Sequence, residues 1–346
     1  MKLTRITGIV AGLSLLVAGM QAQVSLPAVF TDHMVLQQKS EVPVWGWGSA
    51  SATIKVVGSW APQDTATTVV RSDGTWDTTL KTIGAGGPYT LSVLGDGTRE
   101  LKDVMLGEVW LCSGQSNMEW TPMHGIDNSE EEVAAANYPN IRFFHIPKRG
   151  AATPQNNCEA SWAPCTPDRM KSTSAIAYFF GRDLQKDLNV PVGLIVSAWG
   201  GTPTEVWVPE EQVMNNPRIR DVMPDKTYPW WPVEPGVLYN QMISPVVPYA
   251  LAGAIWYQGE SNRDHPDSYG ILLKTMVESW RKSFKKDFPF YLVQIAPFTY
   301  NAGDNGAALV REHQEWVART VPGAGMVAVS DCVADVKNIH PTDKQS

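Results

Sequence analysis

Two uninterrupted apolar runs, Val192–Ala198 and residues 252–257, constrain this chain more than any other feature. A strand that is apolar on both faces must be covered on both, and helices flanking a parallel sheet provide that cover. Residues 104–112, 141–146, 288–295 and 325–330 read as further strands. Residues 174–188, 269–284 and 307–320 repeat their apolar positions at helical spacing; Ile176, Phe179, Phe180 and Leu184 share one face of the first. Strand and helix alternate from Asp103 onward, which predicts an α/β fold with a parallel sheet. In such sheets the chemistry gathers at the C-terminal ends of the strands. Residues 209–248 break the rhythm. Rich in Pro and Trp, they are expected to pass over the sheet edge as a wall or lid for a site.

Before Asp103 the texture differs. Residues 42–47, 53–57, 67–70, 76–80 and 89–94 are short β-branched or aromatic stretches, separated by turns such as Ser72-Asp73-Gly74 and Gly86-Gly87-Pro88. They predict a small β-sandwich over residues 23–102, ahead of the α/β part at 103–346. At the start of the chain, Lys2 and Arg5 precede an apolar run at 9–19, and Ala22 offers a cleavage point. Residues 1–22 therefore read as a signal peptide, too short to span a bilayer. A secreted or periplasmic protein without stable membrane insertion is expected. The formal charge is −7, and removing Lys2 and Arg5 makes it more negative. Nucleic acid is excluded as a natural partner, because phosphates need neutralising cations. Export permits disulfides. Cys158 and Cys165 flank Trp162 and are a candidate pair, with the unpaired state equally open; Cys112, inside an apolar strand, is expected as a buried thiol. No CxxC or HExxH spacing occurs, so neither a metal nor another cofactor is expected.

The strand ends carry the candidate chemistry. Residues 104–112 run into Ser113-Gly114-Gln115-Ser116-Asn117, with a helix expected next. A serine on such a turn is exposed beside free backbone N–H groups that can hold an oxyanion; a plain helix-capping serine is the competing reading. Val192–Ala198 leads into Trp199-Gly200-Gly201, where glycine can present an N–H to a ligand or merely turn the chain. Residues 252–257 lead into Gln258-Gly259-Glu260-Ser261-Asn262. This imitates the first motif and makes Ser261 a rival nucleophile, or a hydroxyl that ties down its loop. After the last strand comes Asp335-Val336-Lys337-Asn338-Ile339-His340, an acid followed by a base that can swing over the first strand end. A serine hydroxyl needs such a base at neutral pH. His124 and His265, in loops after the two serines, are placed to touch substrate.

Together these pieces resemble the sialate O-acetylesterase family of the SGNH hydrolase superfamily. The resemblance rests on residues 107–120 around Gly114-Gln115-Ser116-Asn117, residues 256–262 around Gln258-Gly259-Glu260, Asn338-Ile339-His340-Pro341, and the opening stretch at 26–38. It implies a flavodoxin-like SGNH domain and a serine esterase that removes acetyl groups from carbohydrates through an acetyl-serine intermediate. O-acetylated sialic acid or acetylated polysaccharide would be the substrate. Ser116 would be the nucleophile and His340 the base. The oxyanion site would use the Ser116 N–H, the Gly201 N–H (or that of Gly200) and the Gln258 side chain. Gln115, Asn117, Glu260 and Trp199 would meet the substrate. The superfamily usually places an Asp three residues before the His. Lys337 stands there, so Asp335, five residues back, is the expected orienting acid, with a backbone carbonyl as the competing choice. Family members usually continue past the His motif, so a truncated C-terminus is also expected. The alternative reading is a non-catalytic carbohydrate-binding protein derived from an esterase.

Overall fold

The structure, a computed structural model, describes residues 23–223, 227–301 and 303–345. The expected signal peptide at 1–22 lies outside them. The strands are β1 (Val35–Gln37), β2 (Glu41–Trp47), β3 (Thr53–Gly58), β4 (Ala66–Val69), β5 (Thr75–Lys81), β6 (Gly86–Gly95), β7 (Gly97–Gly114), β8 (Tyr138–His145), β9 (Trp162–Cys165), β10 (Val192–Ala198), β11 (Gly253–Tyr257), β12 (Phe290–Val293) and β13 (Ala324–Val327).

The C-terminal half of β7 is the centre of the sheet, whose order is β13-β12-β11-β7-β10-β8-β9; all neighbours are parallel except β9. Taken in chain order without β8, the strands β7, β10, β11, β12 and β13 stand in the flavodoxin-like order 2-1-3-4-5. β8 and β9 widen the sheet beyond β10. Side chains alternate between two apolar faces. Trp110, Cys112, Leu194 and Ile255 meet the helix Ala175–Leu188 on one side. Leu111, Ile195, Ala254 and Trp256 meet the helices Pro266–Phe284 and Gly306–Thr320 on the other. The helix Pro266–Phe284 buries Leu272, Leu273, Met276, Val277 and Trp280 at a period near 3.6. At roughly 1.5–3 kcal/mol per buried side chain, this face outweighs the ~1 kcal/mol that Gly270 costs inside a helix. Gly270 is needed there, because a Cβ would meet His313 Nδ1 at 2.6 Å.

The short strands before Asp103 fall where their patterning places them, with β1 as an addition that pairs parallel with β7. The other five form two antiparallel groups, β2 with β5 and β4-β3-β6 running onto β7. β7 continues through position 103, so the antiparallel and parallel strands are hydrogen-bonded along one 18-residue strand. At the change of partner, Asp103 adopts φ 54. Its carboxylate accepts from Arg142 of β8 at 2.8 Å and bonds His33 Nδ1 at 2.6 Å, which pins the joint and accounts for His33. The two parts share one apolar core: Val44, Ile54 and Val93 belong to the same cluster as Trp207 and Trp280.

The four cysteines are free thiols. Cys158 and Cys165 do not pair; the Cys165 thiol ends strand β9 and donates to Ala136 O, 3.7 Å away. Cys112 is fully buried, which pushes its thiol pKa up.

Candidate active site

The site stands at the C-terminal ends of β7, β10 and β11. Gly114 lets β7 end against β11: its φ is 144, and a Cβ would lie 2.1 Å from Tyr257 O. The chain then enters the helix Ser116–Glu119. From Val109 to Met118 every residue is buried except Ser116. Its hydroxyl is thus the one group that this segment delivers to solvent, beside first-turn N–H groups that have no intrahelical acceptor.

His340 meets it. Nε2 lies 2.9 Å from Ser116 Oγ, although 224 residues separate the two. The Trp120 ring stacks on the imidazole, with centroids 4.0 Å apart and planes at 21°. The Asn338 side chain accepts from the His340 N–H at 3.0 Å. Burial first, then the charges of Lys344 and His124, hold the imidazole pKa down to about 4. His340 is therefore a neutral imidazole at neutral pH, able to accept a proton. Asp335 is not brought to it: this exposed carboxylate accepts from the Lys337 N–H at 2.9 Å. Among the described residues no hydrogen bond joins a carboxylate to His340.

The glycines after β10 lie against Ser116. A Cβ on Gly200 would sit 3.2 Å from Ser116 Cβ. The Gly200 N–H is committed to Glu119 Oε2 at 2.6 Å, and Glu119 is paired with Lys148 at 2.5 Å. The Gly201 N–H has no such acceptor among the described residues.

Gln258 departs from the role expected of it. It is 0% exposed, and its amide N–H groups go to Thr202 O and Asn262 Oδ1 at 3.2 and 2.7 Å, while its oxygen accepts from Thr204 Oγ1 at 2.6 Å. A side chain so committed braces the loops after β10 and β11 and has no N–H left for an oxyanion. Three of the four residues expected to meet substrate also turn inward. Gln115 Oε1 accepts from the N–H groups of Gly259 and Ser261 at 3.3 and 3.4 Å. Asn117 and Glu260 bond each other at 2.9 Å and are buried. Trp199 alone remains partly exposed, packed on the core. Ser261, the rival nucleophile, donates its hydroxyl to Gly201 O at 2.9 Å.

The segment expected to wall a site supplies Tyr228 and Trp231, and His265 joins them; Arg263 was not foreseen. A pocket of about 140 Å³ opens beside Gly201 and is lined by Tyr228, Trp231, Ser261, Arg263 and His265. The Trp231 ring lies where a Gly201 Cβ would be, 2.5 Å away. Its only signal was the aromatic richness of residues 209–248, which otherwise pack into the core through Val213, Ile219, Leu238 and Met242. His124 faces a second opening, of about 390 Å³, with Glu119 and Lys148. No described helix is long and apolar enough to cross a membrane.

Known proteins resemble this chain in sequence and in fold. Residues 106–346 match the family model described as carbohydrate esterase, sialic acid-specific acetylesterase. The sialate O-acetylesterases of Pongo abelii and Homo sapiens are each 32% identical to this chain over 354 residues, covering 91% of it and 67% of those proteins. The crystal structure of a carbohydrate acetylesterase from Xanthomonas citri superposes with a TM-score of 0.82 at 34% identity, covering 93% of this chain and 72% of that one.

Proposed function

Because the chain belongs to the sialic acid-specific acetylesterase family of carbohydrate esterases, and so is a carboxylic-ester hydrolase, we propose that Ser116 and His340 carry out the hydrolysis of acetyl esters on carbohydrates. The 2.9 Å contact between His340 Nε2 and Ser116 Oγ carries this reading. His340 takes the hydroxyl proton as Ser116 Oγ attacks the acetyl carbon. The carbonyl oxygen becomes an oxyanion, held by the backbone N–H groups of Ser116 and Gly201; fixed donors of this kind need no reorganisation as charge develops. As the tetrahedral intermediate collapses, the sugar oxygen leaves with the proton from His340, and acetyl-Ser116 remains. Water, deprotonated by His340, attacks the acetyl carbon, and acetate and the free serine are released.

Tyr228 and Trp231 beside Gly201 supply apolar faces against which a sugar ring can lie. The names of the relatives favour O-acetylated sialic acid as substrate, with acetylated polysaccharide as the alternative. The basic and apolar N-terminal residues support export. The test is acetate release from acetylated sialic acids and from acetylated xylan, alongside a peptide map after treatment with a serine-reactive phosphonate. Turnover with the adduct on Ser116 supports the reading. An adduct on Ser261, or an intact chain that releases no acetate from any acetylated sugar, overturns it.

A further inference from the structure

In a Ser–His pair backed by an acid, a carboxylate on the second ring nitrogen fixes the imidazole. Here Asp335 serves its own turn and Lys337 occupies the usual acid position, so His340 has to be held by other means. We infer that Asn117, Glu260 and Lys344 form a buried clamp that positions His340 against Ser116 by anchoring its loop. The inference rests on the reading of His340 as the base for Ser116.

Asn117 is the centre of the clamp and is 0% exposed. Its amide donates to Glu260 Oε1 at 2.9 Å and to the backbone oxygen of Ile339 at 3.1 Å; its oxygen accepts from Lys344 Nζ at 2.6 Å. One side chain, adjacent to the nucleophile, thus joins the loop after β11, the residue before His340 and the segment after it. Only an amide has both the two donors and the acceptor that these contacts require. The outer members are ionisable and almost fully covered: Glu260 is 7% and Lys344 5% exposed. Glu260 Oε2 is buried with no hydrogen-bond partner among the described residues. Burial raises the Glu260 pKa, while the Asn117 hydrogen bond and the Lys344 charge lower it; a carboxylate that lost them would be a lone buried charge, which is strongly unfavourable. Losing one end disturbs the other through the amide that also holds Ile339. The Lys344 ammonium lies 5.9 Å from the centroid of the Trp120 ring, the same ring that stacks on His340.

The clamp has an electrical signature that mere packing lacks. The titratable groups facing His340 are Lys344 and His124, and positive charge on either resists its protonation. Those facing Lys344 are Glu260 and Asp343, which favour its charge while burial holds its pKa down to about 8. Removing the Lys344 charge relieves one of the forces that keep His340 unprotonated, so its pKa rises.

The test compares wild type, Ser116→Ala, Lys344→Met and Glu260→Gln/Lys344→Gln on 4-nitrophenyl acetate from pH 4 to 10, with circular dichroism as the folding control. Lys344→Met is expected to lower kcat by ~100-fold, as a base displaced by about 1 Å does. It should leave KM within about threefold, since ground-state binding is untouched, and move the acid limb of kcat/KM upward. The double variant leaves no lone charge. It is expected to recover most of kcat while keeping the raised acid limb, and it carries the comparison if Lys344→Met does not fold. Activity surviving in Ser116→Ala overturns the Ser–His reading and the clamp with it. A dead Ser116→Ala beside a folded Lys344→Met that keeps wild-type kcat and an unmoved acid limb overturns the clamp alone.

Discussion

Two loops with nearly the same sequence stand side by side in this molecule and do different things. Gly114-Gln115-Ser116-Asn117 ends β7, and Gly259-Glu260-Ser261-Asn262 follows its parallel neighbour β11. Each opens with a glycine at large positive φ, 144 and 155. They brace each other: Gln115 of the first accepts from the backbone of the second, and Glu260 of the second accepts from Asn117 of the first. Yet Ser116 Oγ reaches His340, while Ser261 Oγ is spent on Gly201 O. The four-residue pattern specifies a turn that suits the end of a parallel strand. Which serine is proposed to do chemistry depends on a third segment, 224 residues from Ser116, that lays an imidazole over one turn and not the other.

The sharpest way to break the comparison is to exchange the fates of the two serines. Ser116→Ala is expected to remove nearly all esterase activity, a loss on the order of 10⁶ in kcat, with the fold unchanged by circular dichroism. Persistent acetate release would show that the two serines do not differ in this way.

The glycines give the next largest contrast. A Cβ at Gly114 meets a backbone oxygen, Tyr257 O, at 2.1 Å; at Gly259 it meets side-chain methyls of Ile295 and Val310 at 2.7 and 2.9 Å. Both substitutions carry strain from the backbone angle, but only side chains can repack. Gly114→Ala is expected to cost about 4 kcal/mol or more, and Gly259→Ala about 2 kcal/mol, from strain plus overpacking. Urea denaturation of the two variants should rank them in that order.

The base then sets the pH behaviour. The folded pKa of His340 is held down to about 4, below the ordinary imidazole value of ~6.5. The neutral, proton-accepting form therefore persists well below pH 6, and the acid limb of kcat/KM should fall between about pH 4 and 5. The same difference weakens the fold in acid. From about pH 6.5 down to about pH 4 the unfolded chain binds a proton that the folded chain does not, so the contribution of His340 to stability is complete above that window and lost through it. An acid limb near pH 6.5 would show an imidazole that burial and its neighbours do not hold down.

The contrast between the loops also marks how far sequence reading carries. Val192–Ala198 coincides with its strand to the residue, and the helices agree within a few residues, because long apolar periods leave little choice. β1 and β9 were invisible: three and four residues are too short for a period to show. The meeting of Ser116 and His340 could be read from position and resemblance. The direction of Gln115, Asn117, Glu260 and Gln258 could not. Polar groups at a strand end look like ligand-binding groups in sequence, whereas here they satisfy one another across two loops. Trp231 and Arg263 gave no spacing signal at all, since the loops that carry them meet only in the folded chain.

Ser261→Ala probes the quieter loop. It removes one hydroxyl–carbonyl bond, worth about 1 kcal/mol, between Ser261 and Gly201 O. Because Gly201 is also proposed as an oxyanion donor, loosening its peptide should lower kcat by a few-fold, roughly threefold to tenfold. A loss approaching that of Ser116→Ala would make the two serines partners rather than opposites.

The smallest expected effect concerns what stands behind the base. If a carboxylate oriented His340, replacing it with the amide would favour the wrong tautomer and cut kcat by ~10⁴. Asp335 was the expected candidate, yet its Oδ1 accepts from the Lys337 N–H at 2.9 Å, and its main-chain oxygen accepts from the Asn338 N–H at 3.0 Å. Both bonds shape the turn that carries Asn338, whose side chain in turn accepts from the His340 N–H. An asparagine at 335 keeps an oxygen where the first bond needs one, since Asn and Asp stabilise such turns alike. Asp335→Asn should therefore leave kcat within about twofold of wild type, as surface substitutions that preserve their local bonds do. Asp335→Ala, which loses the side-chain bond, should cost a little more and act through the loop. A 10³-fold or larger loss in Asp335→Asn would show that the loop rearranges to place this carboxylate on the imidazole. What distinguishes Ser116 from Ser261 would then be a full triad rather than a base held by its neighbours.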